Sequence, residues 1–329
     1  MKKILWLIFF SLMIFDISGC KKFPDGYQRE YYENGTLKSE GYYKHWEKDG
    51  LFKAYDEQGQ LVGEASYKND KAEGICKTYY DQGQLKSIEN YKDGKRDGEV
   101  KTYYKNGQLM SEAQYRDDQP QWAKEYYTNG KLKAELFYRN GRRGGVCKIY
   151  NEKGALHFEW SYKDGQRHGL SRGFYENGVI KTELNYKDGL RDGVSKKFYR
   201  NGKLQGEWNY KLGQLDGPAT GYYENEKVEV INNYKDGQVE GVSKRFSMGG
   251  VLKMEWDYKN GQLDGIMKKY FPDGKLESEK TYKRGKLDGI TREYYKDGQV
   301  KEEILYKDNK LVKVKTYDRS GKLVSEKNS

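Results

Sequence analysis

Short runs of alternating hydrophobic and polar residues, separated by glycine-containing turns, repeat along almost the whole chain. A lead tyrosine returns every 24 residues, with one 23-residue step after Tyr115 near Pro120; the series is Tyr43, Tyr67, Tyr91, Tyr115, Tyr138, Tyr162, Tyr186, Tyr210, Tyr234, Tyr258, Tyr282 and Tyr306. Alternation with period two is typical of β-strands. A fixed period of this length indicates an array in which each unit contacts mainly its neighbours, unlike a globular enzyme folded around one pocket.

Each unit is predicted to be a β-hairpin. Asn106-Gly107 lies between two β-prone runs and predicts a two-residue turn with positive φ at both positions. Equivalent turns are Asn34-Gly35, Asn129-Gly130, Asn177-Gly178, Asn201-Gly202, Asp273-Gly274 and Asp297-Gly298. The Asp-Gly loops that follow each lead tyrosine are then expected to join one hairpin to the next.

This turn fixes which residues face each other across the hairpin. It places Tyr104 opposite Leu109, Lys101 opposite Glu112 and Val100 opposite Ala113. Opposite charges then face each other in later units too, in the pairs Lys148/Glu159, Arg172/Glu183, Lys196/Glu207, Lys244/Glu255, Lys268/Glu279 and Arg292/Glu303. Exposed pairs of this kind set the register more than the stability.

The other face is expected to carry a ridge of aromatic and leucine side chains. It gathers Tyr104, Leu109, Ala113 and Tyr115, and later units place a tryptophan where Ala113 stands: Trp160, Trp208 and Trp256. Because long sheets do not stay flat, the predicted fold is all-β, with tandem 24-residue β-hairpin repeats forming one elongated, twisted antiparallel sheet. Residues 23–329 hold about 13 such repeats.

The first residues have a different character. Lys2 and Lys3 precede an apolar run and the tetrapeptide Ile17-Ser18-Gly19-Cys20, a pattern typical of a secretory signal and too short for a membrane span. The tetrapeptide resembles the lipobox of bacterial lipoproteins. This resemblance implies a signal peptide over residues 1–19, lipidation of Cys20, a short tether over 20–22, and export to the bacterial cell envelope. Ordinary cleavage and release is the alternative. Lys21-Lys22 favours passage to the outer membrane.

Composition adds two constraints on function. With 34% charged residues, the chain has little material for a thick aliphatic core, so aromatic rings must supply the apolar surface. Cys76 and Cys147 lie at equivalent places three units apart, beyond the reach of a disulfide, and are expected to be small packing residues. The net charge of +11 permits nucleic-acid binding. The export signal and the paired lysines argue against it and favour anionic surfaces instead.

Residues that could carry chemistry are few. His45, His157 and His168 stand in different units without partners at metal-ligand or triad spacing. Asp93 with Asp97, and Asp188 with Asp192, could hold calcium, but a lysine or arginine between them disfavours it. We therefore expect no enzyme activity, no cofactor and no metal.

The spacing Tyr-Lys-Asp-Gly-x-x-Asp-Gly-x-x-Lys-x-Tyr-Tyr-x-Asn-Gly-x-Leu-x-x-Glu resembles the MORN-repeat variant found in tandem in bacterial proteins. The resemblance extends over residues 23–329. Departures are the shortened unit at Pro120 and Trp122, Glu226 in place of a glycine, and Asn309. The resemblance implies either a scaffold for protein or membrane contacts, or an antitoxin component of a toxin–antitoxin module.

Three function classes follow. The first is a lipid-anchored scaffold that binds an unknown partner protein, and the second is an antitoxin or immunity-like protein that neutralises a toxin. The third is cell-wall glycan binding, because rows of tyrosine and tryptophan can stack on sugar rings. The tyrosine column on the charged face, with Tyr103, Tyr222 and Tyr294, is the expected contact site if it is exposed.

Overall fold

A computed structural model describes residues 23–328, and within that range it contains β-strands and turns but no helix. The chain divides into two compact units, one up to Gln166 and one from Arg167 onwards. Within each unit, strands that follow each other in the chain pair antiparallel, so each unit is one antiparallel sheet of successive hairpins. The prediction of an all-β fold of tandem hairpins is confirmed.

The strands of the first unit are short. They are β1 (Gly26–Tyr31), β2 (Leu37–Lys44), β3 (Glu47–Lys48), β4 (Gly50–Tyr55), β5 (Leu61–Lys68), β6 (Lys71–Tyr79), β7 (Leu85–Lys92), β8 (Lys95–Tyr103), β9 (Leu109–Arg116), β10 (Gln119–Tyr126), β11 (Leu132–Arg139), β12 (Arg142–Arg143), β13 (Gly145–Tyr150) and β14 (Leu156–Lys163). The two-residue strand β15 (Gln166–Arg167) contains the boundary.

The second unit repeats the same plan. Its strands are β16 (Gly169–Phe174), β17 (Ile180–Lys187), β18 (Leu190–Arg191), β19 (Gly193–Phe198), β20 (Leu204–Lys211), β21 (Gln214–Tyr222), β22 (Val228–Lys235), β23 (Gln238–Val239), β24 (Gly241–Phe246), β25 (Leu252–Lys259), β26 (Gln262–Leu263), β27 (Gly265–Tyr270), β28 (Leu276–Lys283), β29 (Lys286–Tyr294), β30 (Val300–Lys307), β31 (Lys310–Tyr317) and β32 (Leu323–Asn328).

The Asn-Gly turn differs from its prediction. Gly107 is left-handed, with φ 82°, and its N–H donates to the carbonyl of Tyr104 at 2.9 Å, while Asn106 keeps a negative φ. The loop therefore spans residues 104–107, a type I turn closed by a glycine bulge. As a result Tyr103, not Tyr104, pairs with Leu109. Before the bulge, Val100 faces Ala113 and Lys101 faces Glu112, as predicted.

The two-residue turn with positive φ at both positions lies instead in the Asp-Gly loop. Asp93 and Gly94 have φ of 51° and 80°, and they join Lys92 to its partner Lys95. Each of these tight turns is fastened to the preceding one: the N–H of Gly94 donates to the carbonyl of Ala72 at 2.9 Å, and that of Gly237 to Leu215 at 2.8 Å. The Asp-Gly loops therefore join successive hairpins, as predicted, and their backbone bonds also hold neighbouring repeats together.

A second glycine gives the strand after most tight turns its bulge. Gly98 has φ 123°, and a Cβ there would lie 2.9 Å from Cβ of Asn90. The Asn90 side-chain amide donates to the carbonyl of Glu99 at 2.7 Å, and Asn185 and Asn209 make the same bond to Val194 and Pro218. Close approach and positive φ together explain the second Asp-Gly of the repeat.

Departures from the repeat keep this geometry. Glu226 takes φ 67° where other units have glycine, and its N–H donates to the carbonyl of Tyr223 at 2.9 Å. Asn309 takes φ 68° at a tight turn, where its carboxamide oxygen accepts from the N–H of Leu287 at 2.7 Å. Pro120 stands within β10, opposite Tyr115.

Candidate interaction surface

One face of the sheet, called here the ladder face, carries a row of alternating charges. The six charged pairs predicted for later units are all confirmed as direct cross-strand partners. Each glutamate of the row also faces a residue on the following strand: Glu112 faces Lys124, and Glu279 faces Arg292. The row is interrupted at Ile88, and again at Thr220 and Ile231.

Arg292 shows how closely the row is paired. Its Nε lies 2.7 Å from a carboxylate oxygen of Glu303, and its Nη1 lies 2.9 Å from one of Glu279. These hydrogen bonds, from Glu303 first, raise the pKa of the Arg292 guanidinium. The bond from Arg292 likewise lowers the pKa of Glu303. Such a bridge fixes the register of three strands.

Tyrosines twelve residues after the lead tyrosine, or eleven in the shortened repeat, flank this row and bond its glutamates. The Tyr270 hydroxyl donates to Glu255 at 2.7 Å, and Tyr126 donates to Glu112 at 2.7 Å. Burial, followed by the bond to Glu255, raises the pKa of Tyr270 to about 12. The bond from Tyr270, aided by Lys244, lowers the pKa of Glu255. Since each bond joins strands of adjacent repeats, these tyrosines contribute to the stacking of repeats.

The predicted contact tyrosines belong to this column. Tyr103, Tyr222 and Tyr294 are half-buried. Tyr294 donates to Glu279 at 3.0 Å and Tyr222 to Glu207 at 3.4 Å. Burial is the first cause of the raised pKa of both phenols. Their binding role stays a prediction, and the structure also gives Tyr222 and Tyr294 a place in the packing.

The ladder face also carries a series of exposed aliphatic side chains, which sequence reasoning missed. They stand eight residues after a lead tyrosine: Leu51, Ile75 and Val146 in the first unit, and Val194, Val242, Ile266 and Ile290 in the second. Ile75 is 53% exposed and Val242 is 43% exposed. We call these residues the aliphatic row. The sequence could have revealed them. Each of these residues directly precedes a residue of the buried face, such as Cys76 or Cys147, so alternation along the strand places it on the opposite face.

The opposite face, called here the aromatic face, holds the core. Val100, Ala113, Tyr115, Leu136 and Cys147 form a buried cluster, against which Tyr138, Ile149 and Tyr162 pack. Cys147 is completely buried and Cys76 is half-buried, and burial raises the pKa of the Cys76 thiol to about 12. The two cysteines form no disulfide with each other, and both act as small packing residues.

A buried ion pair also lies on the aromatic face. Glu89 is 5% exposed, accepts from Arg96 Nε at 2.9 Å and also accepts from the Tyr91 hydroxyl at 3.0 Å. The Arg96 guanidinium stands over the ring of Tyr115, with 5.5 Å between its carbon and the ring centroid. The guanidinium groups of three more arginines likewise stand over the lead tyrosine of the following repeat: Arg143, Arg167 and Arg191. These stacks use cation–π attraction to join repeats.

Two of the aspartates considered as calcium ligands form hydrogen bonds to the backbone of the neighbouring turn instead. The carboxylates of Asp97 and Asp192 accept from the backbone N–H of Asp117 and Leu212 in the next tight turn, at 3.4 and 3.2 Å. His168 Nδ1 lies 3.2 Å from an oxygen of Asp188 at the equivalent contact. Among residues 23–328 no group of three histidine, cysteine or acidic side chains is arranged to hold a metal ion.

Cys20, predicted to be lipidated, lies outside the described residues, as does the signal peptide predicted over 1–19. In the part of the chain that is described, no helix has the length and apolar character needed to cross a membrane.

Comparison with protein families gives a match to repeats described as MORN repeat variant. Ten segments match: 24–45, 48–69, 72–93, 96–117, 123–140, 167–188, 191–212, 215–236, 263–284 and 287–308. Together they make up more than half of the chain. The structure adds hairpins of the same form in segments that the match omits, namely β13 with β14, β24 with β25, and β31 with β32.

Other comparisons are less informative. No curated protein matches the chain. The crystal structure of TcdB2-TccC3-Cdc42 is 12% identical over 92% of this chain and 22% of that chain, with a TM-score of 0.17. The crystal structure of TcdB2-TccC3 is 11% identical over 90% of this chain and 23% of that one, also with a TM-score of 0.17. This chain thus spans under a quarter of those chains, and similarity this low supports no inference about function.

Proposed function

The chain belongs to the MORN repeat variant family, and from that premise we propose that it is a non-enzymatic scaffold that binds a partner protein along the ladder face. Repeat arrays present extended surfaces on which the same side-chain position returns at a fixed spacing. A partner can then be bound by many small contacts instead of one pocket.

The aliphatic row is the observation that carries this proposal. Leucine, isoleucine and valine side chains stay 38% to 53% exposed at one repeat position, although a solvated strand face would favour polar residues there. Adjacent repeats are two strands apart, so neighbouring members of the row stand about 10 Å apart. Polar cross-strand partners such as Asn209, Asp257 and Thr281 lie between the members, so the row offers regularly spaced apolar contacts and not one continuous patch. The partner would therefore expose apolar side chains at a similar spacing.

The surrounding groups support specificity more than affinity. Lysines and glutamates of the ladder satisfy each other within the sheet, as in the 3.1 Å contact of Lys244 with Glu255. The net charge of +11 favours an acidic partner and faster association at low salt.

We also propose that the protein is exported and held at the cell envelope through a lipid on Cys20. The support is the Ile17-Ser18-Gly19-Cys20 motif after a basic start and an apolar run. Cys20→Ala should release the protein from the membrane fraction or leave it as uncleaved precursor. The Cys76→Ala variant serves as control and should fractionate like the wild type. Unchanged processing and fractionation of Cys20→Ala would remove the anchor from this proposal.

The binding proposal is tested by quantitative cross-linked capture of the tagged protein from its own cells. The row variant combines Val242→Thr, Ile266→Thr and Ile290→Thr. The matched control makes the same change at exposed tight-turn positions, with Lys235→Thr, Lys259→Thr and Lys283→Thr. Threonine keeps the β-branched shape that strands favour, so both variants should fold.

We expect a protein captured in stoichiometric amount by the wild type and the control to be lost from the row variant. Equal capture by all three forms would contradict the proposal. The captured protein also decides the alternative function: if it is toxic when expressed alone and harmless together with this chain, the scaffold acts as an antitoxin or immunity-like protein.

A further inference from the structure

Within residues 23–328, the first and the last strand each have one edge without a partner strand. β1 pairs with β2 on one side, and β32 pairs with β31 on one side. An unpaired strand edge presents a row of N–H and C=O groups that can pair with another chain. The two edges differ, because β1 is the first strand of its hairpin and β32 is the second strand of its own. They are therefore the two complementary sides of a contact between successive repeats.

Inside the array, the second strand of one hairpin pairs antiparallel with the first strand of the next, and this pairing includes a glutamate of the ladder face. At one such junction Glu183 faces Lys196. Glu326 occupies the glutamate position of β32, and Arg29 occupies the basic position of β1. In the same register, β32 of one copy would lie on β1 of another with Glu326 facing Arg29. The two edges thus have complementary charges at the centre of the contact.

Arg29 makes half of the contacts that its counterpart Arg292 makes. Arg292 Nε lies 2.7 Å from Glu303 of its own hairpin, and its Nη1 lies 2.9 Å from Glu279 of the preceding repeat. Arg29 Nε lies 3.2 Å from Glu40 of its own hairpin, and no strand precedes β1 in the described range to supply a second glutamate. The Arg29 side chain is 56% exposed, against 36% for Arg292. Arg29 therefore has room for a second carboxylate.

Tyr31 is in the same situation. Tyr294, at the equivalent repeat position, donates its hydroxyl to Glu279 of the preceding repeat at 3.0 Å. Tyr31 is 57% exposed, and the residue fifteen positions before it falls within the signal peptide predicted over residues 1–19. In the described part of the chain, the start of the array thus offers two donors without the carboxylate of a preceding repeat.

Glu326 is the matching acceptor at the other end. Its counterpart Glu303 accepts from the Tyr317 hydroxyl of the next repeat at 3.1 Å. Glu326 pairs with Lys313 of its own hairpin, and no further repeat follows it in the described range. The end of the array thus offers a carboxylate without the donors of a following repeat.

We propose that copies of this chain associate head to tail, with β32 of one copy pairing antiparallel with β1 of the next, so that Glu326 accepts from Arg29 and Tyr31. Because the two edges are different surfaces, each copy can bind one neighbour at each end, and the contact builds rows instead of closing as a dimer. This contact does not depend on whether the ladder face binds a partner protein.

The contact between copies is weaker than a junction inside the array. Tyr295 donates to the carbonyl of Tyr317 in the next repeat at 3.0 Å, but Asp318 stands at the corresponding position of the last repeat. No tight turn joins the two strands either, since they belong to different copies. The association is therefore reversible and depends on concentration.

The experiment is capture between two differently tagged forms of the full chain, made together in its own cells, with each tag on a flexible linker after Ser329. Two charge reversals test the pairing, Arg29→Glu and Glu326→Lys. Each reversal brings like charges together in a contact between identical copies, so self-capture should fall about tenfold. The two variants should nevertheless capture each other like the wild type, because every contact between them pairs opposite charges.

The matched controls make the same reversals at a junction inside the array. They are Lys196→Glu and Glu183→Lys, two residues that face each other between repeats, and both should self-capture like the wild type. The row variant should do so as well, which separates this contact from binding of a partner protein.

Four results would each overturn the proposal: no self-capture by the wild type, wild-type self-capture by either edge reversal, no mutual capture by the two folded reversal variants, or loss of self-capture in the row variant. If circular dichroism shows that a reversal variant does not fold, Arg29→Gln and Glu326→Gln decide instead. Each removes the attraction without adding repulsion and should weaken self-capture about threefold. Unchanged self-capture by both would overturn the head-to-tail contact.

Discussion

Tyrosine is used in three distinct ways along the array. The lead tyrosine packs on the aromatic face, as Tyr115 does at 4% exposure. The tyrosine twelve residues later donates to a glutamate, and the one after it donates to a backbone carbonyl of the next repeat, as Tyr199 does to Tyr222 at 2.7 Å. Both of the latter bonds need a hydroxyl at the end of a rigid ring. Repeats with phenylalanine at the first of these positions, as at Phe174, Phe198 and Phe246, therefore lack that bond.

Stability at alkaline pH is predicted from these phenols. Burial is the first cause that raises the pKa of Tyr55, Tyr91, Tyr126, Tyr150 and Tyr270 to about 12, from an ordinary value of 10.0. A raised pKa means that the folded chain holds its protons more tightly than the unfolded chain. The stabilisation is therefore complete below pH 10 and is lost as pH rises towards 12. Thermal unfolding at successive pH values measures this loss.

A pair of variants makes this prediction specific. Tyr270→Phe should lower stability at neutral pH and flatten the alkaline decline, because one buried phenol no longer titrates. Tyr31→Phe, at a position 57% exposed, should leave the pH profile unchanged. A melting temperature that stays constant from pH 9 to pH 12 would be at odds with the buried state of these phenols.

Some contacts at this scale could be predicted from the sequence and others could not. The cross-strand pairs, such as Lys101 with Glu112, follow from alternation and from the distance to the turn. For the tyrosines that bond a glutamate of the row or a backbone carbonyl, the acceptor lies 14 to 15 or 22 to 23 residues away, as for Tyr55 with Glu40 and Tyr32 with Tyr55. Their identity depends on how repeats stack, which a single hairpin does not specify.

At the scale of elements, the structure reverses the predicted turn types: the Asp-Gly loop forms the two-residue turn, and the Asn-Gly loop forms the longer one. Asn-Gly is compatible with a two-residue turn and also with the last two positions of a type I turn with a glycine bulge. Only the pairing of the flanking strands distinguishes them. Here Tyr103 pairs with Leu109, so the Asn106 turn is the longer one, and Asp93-Gly94 forms the tight turn.

Two asparagines allow this assignment to be tested. Asn260 is left-handed in a tight turn, with φ 50°. Asn260→Gly should therefore change the free energy of unfolding by less than about 0.5 kcal/mol, because glycine adopts this conformation freely. Asn201 lies in a longer turn, where its Oδ1 accepts from the N–H of Lys203 at 3.0 Å. Asn201→Gly should cost about 1 kcal/mol through loss of this bond.

Alanine serves as the control at both positions. Asn260→Ala should cost about 1 kcal/mol, since a Cβ disfavours the left-handed region, so glycine is the better replacement there. At position 201 alanine should be no worse than glycine. Chemical denaturation of the four variants gives the order, and the same order at both positions would contradict the exchange of turn types.

At the scale of the whole molecule, each repeat is held by bonds to its neighbours. Backbone bonds between tight turns, tyrosine bonds to the next carbonyl and shared glutamates all span one repeat. The period of the chain made this modular organisation predictable. The aliphatic row was missed because exposure at one strand position depends on which face the neighbouring repeats cover.

Removal of one complete repeat is expected to leave a folded protein. Deletion of residues 186–209 joins Asn185 to Tyr210 and preserves the register of every remaining repeat. The variant should keep its strand signal in circular dichroism and a cooperative melt. Deletion of 186–197 removes half a repeat and should prevent ordered stacking. Loss of the cooperative transition in the full-repeat deletion would contradict the array organisation.

The proposal that the ladder face binds a partner protein is tested most directly by photo-cross-linking in the native cells. A photoreactive residue is placed at Val194, Val242 or Ile290 of the aliphatic row, and at Lys187, Lys235 or Lys283 of the tight turns as controls. We predict that row positions cross-link to one protein in common and that the tight-turn positions do not. Cross-links that are absent from the row, or that occur equally at both sets, would contradict binding along the ladder face.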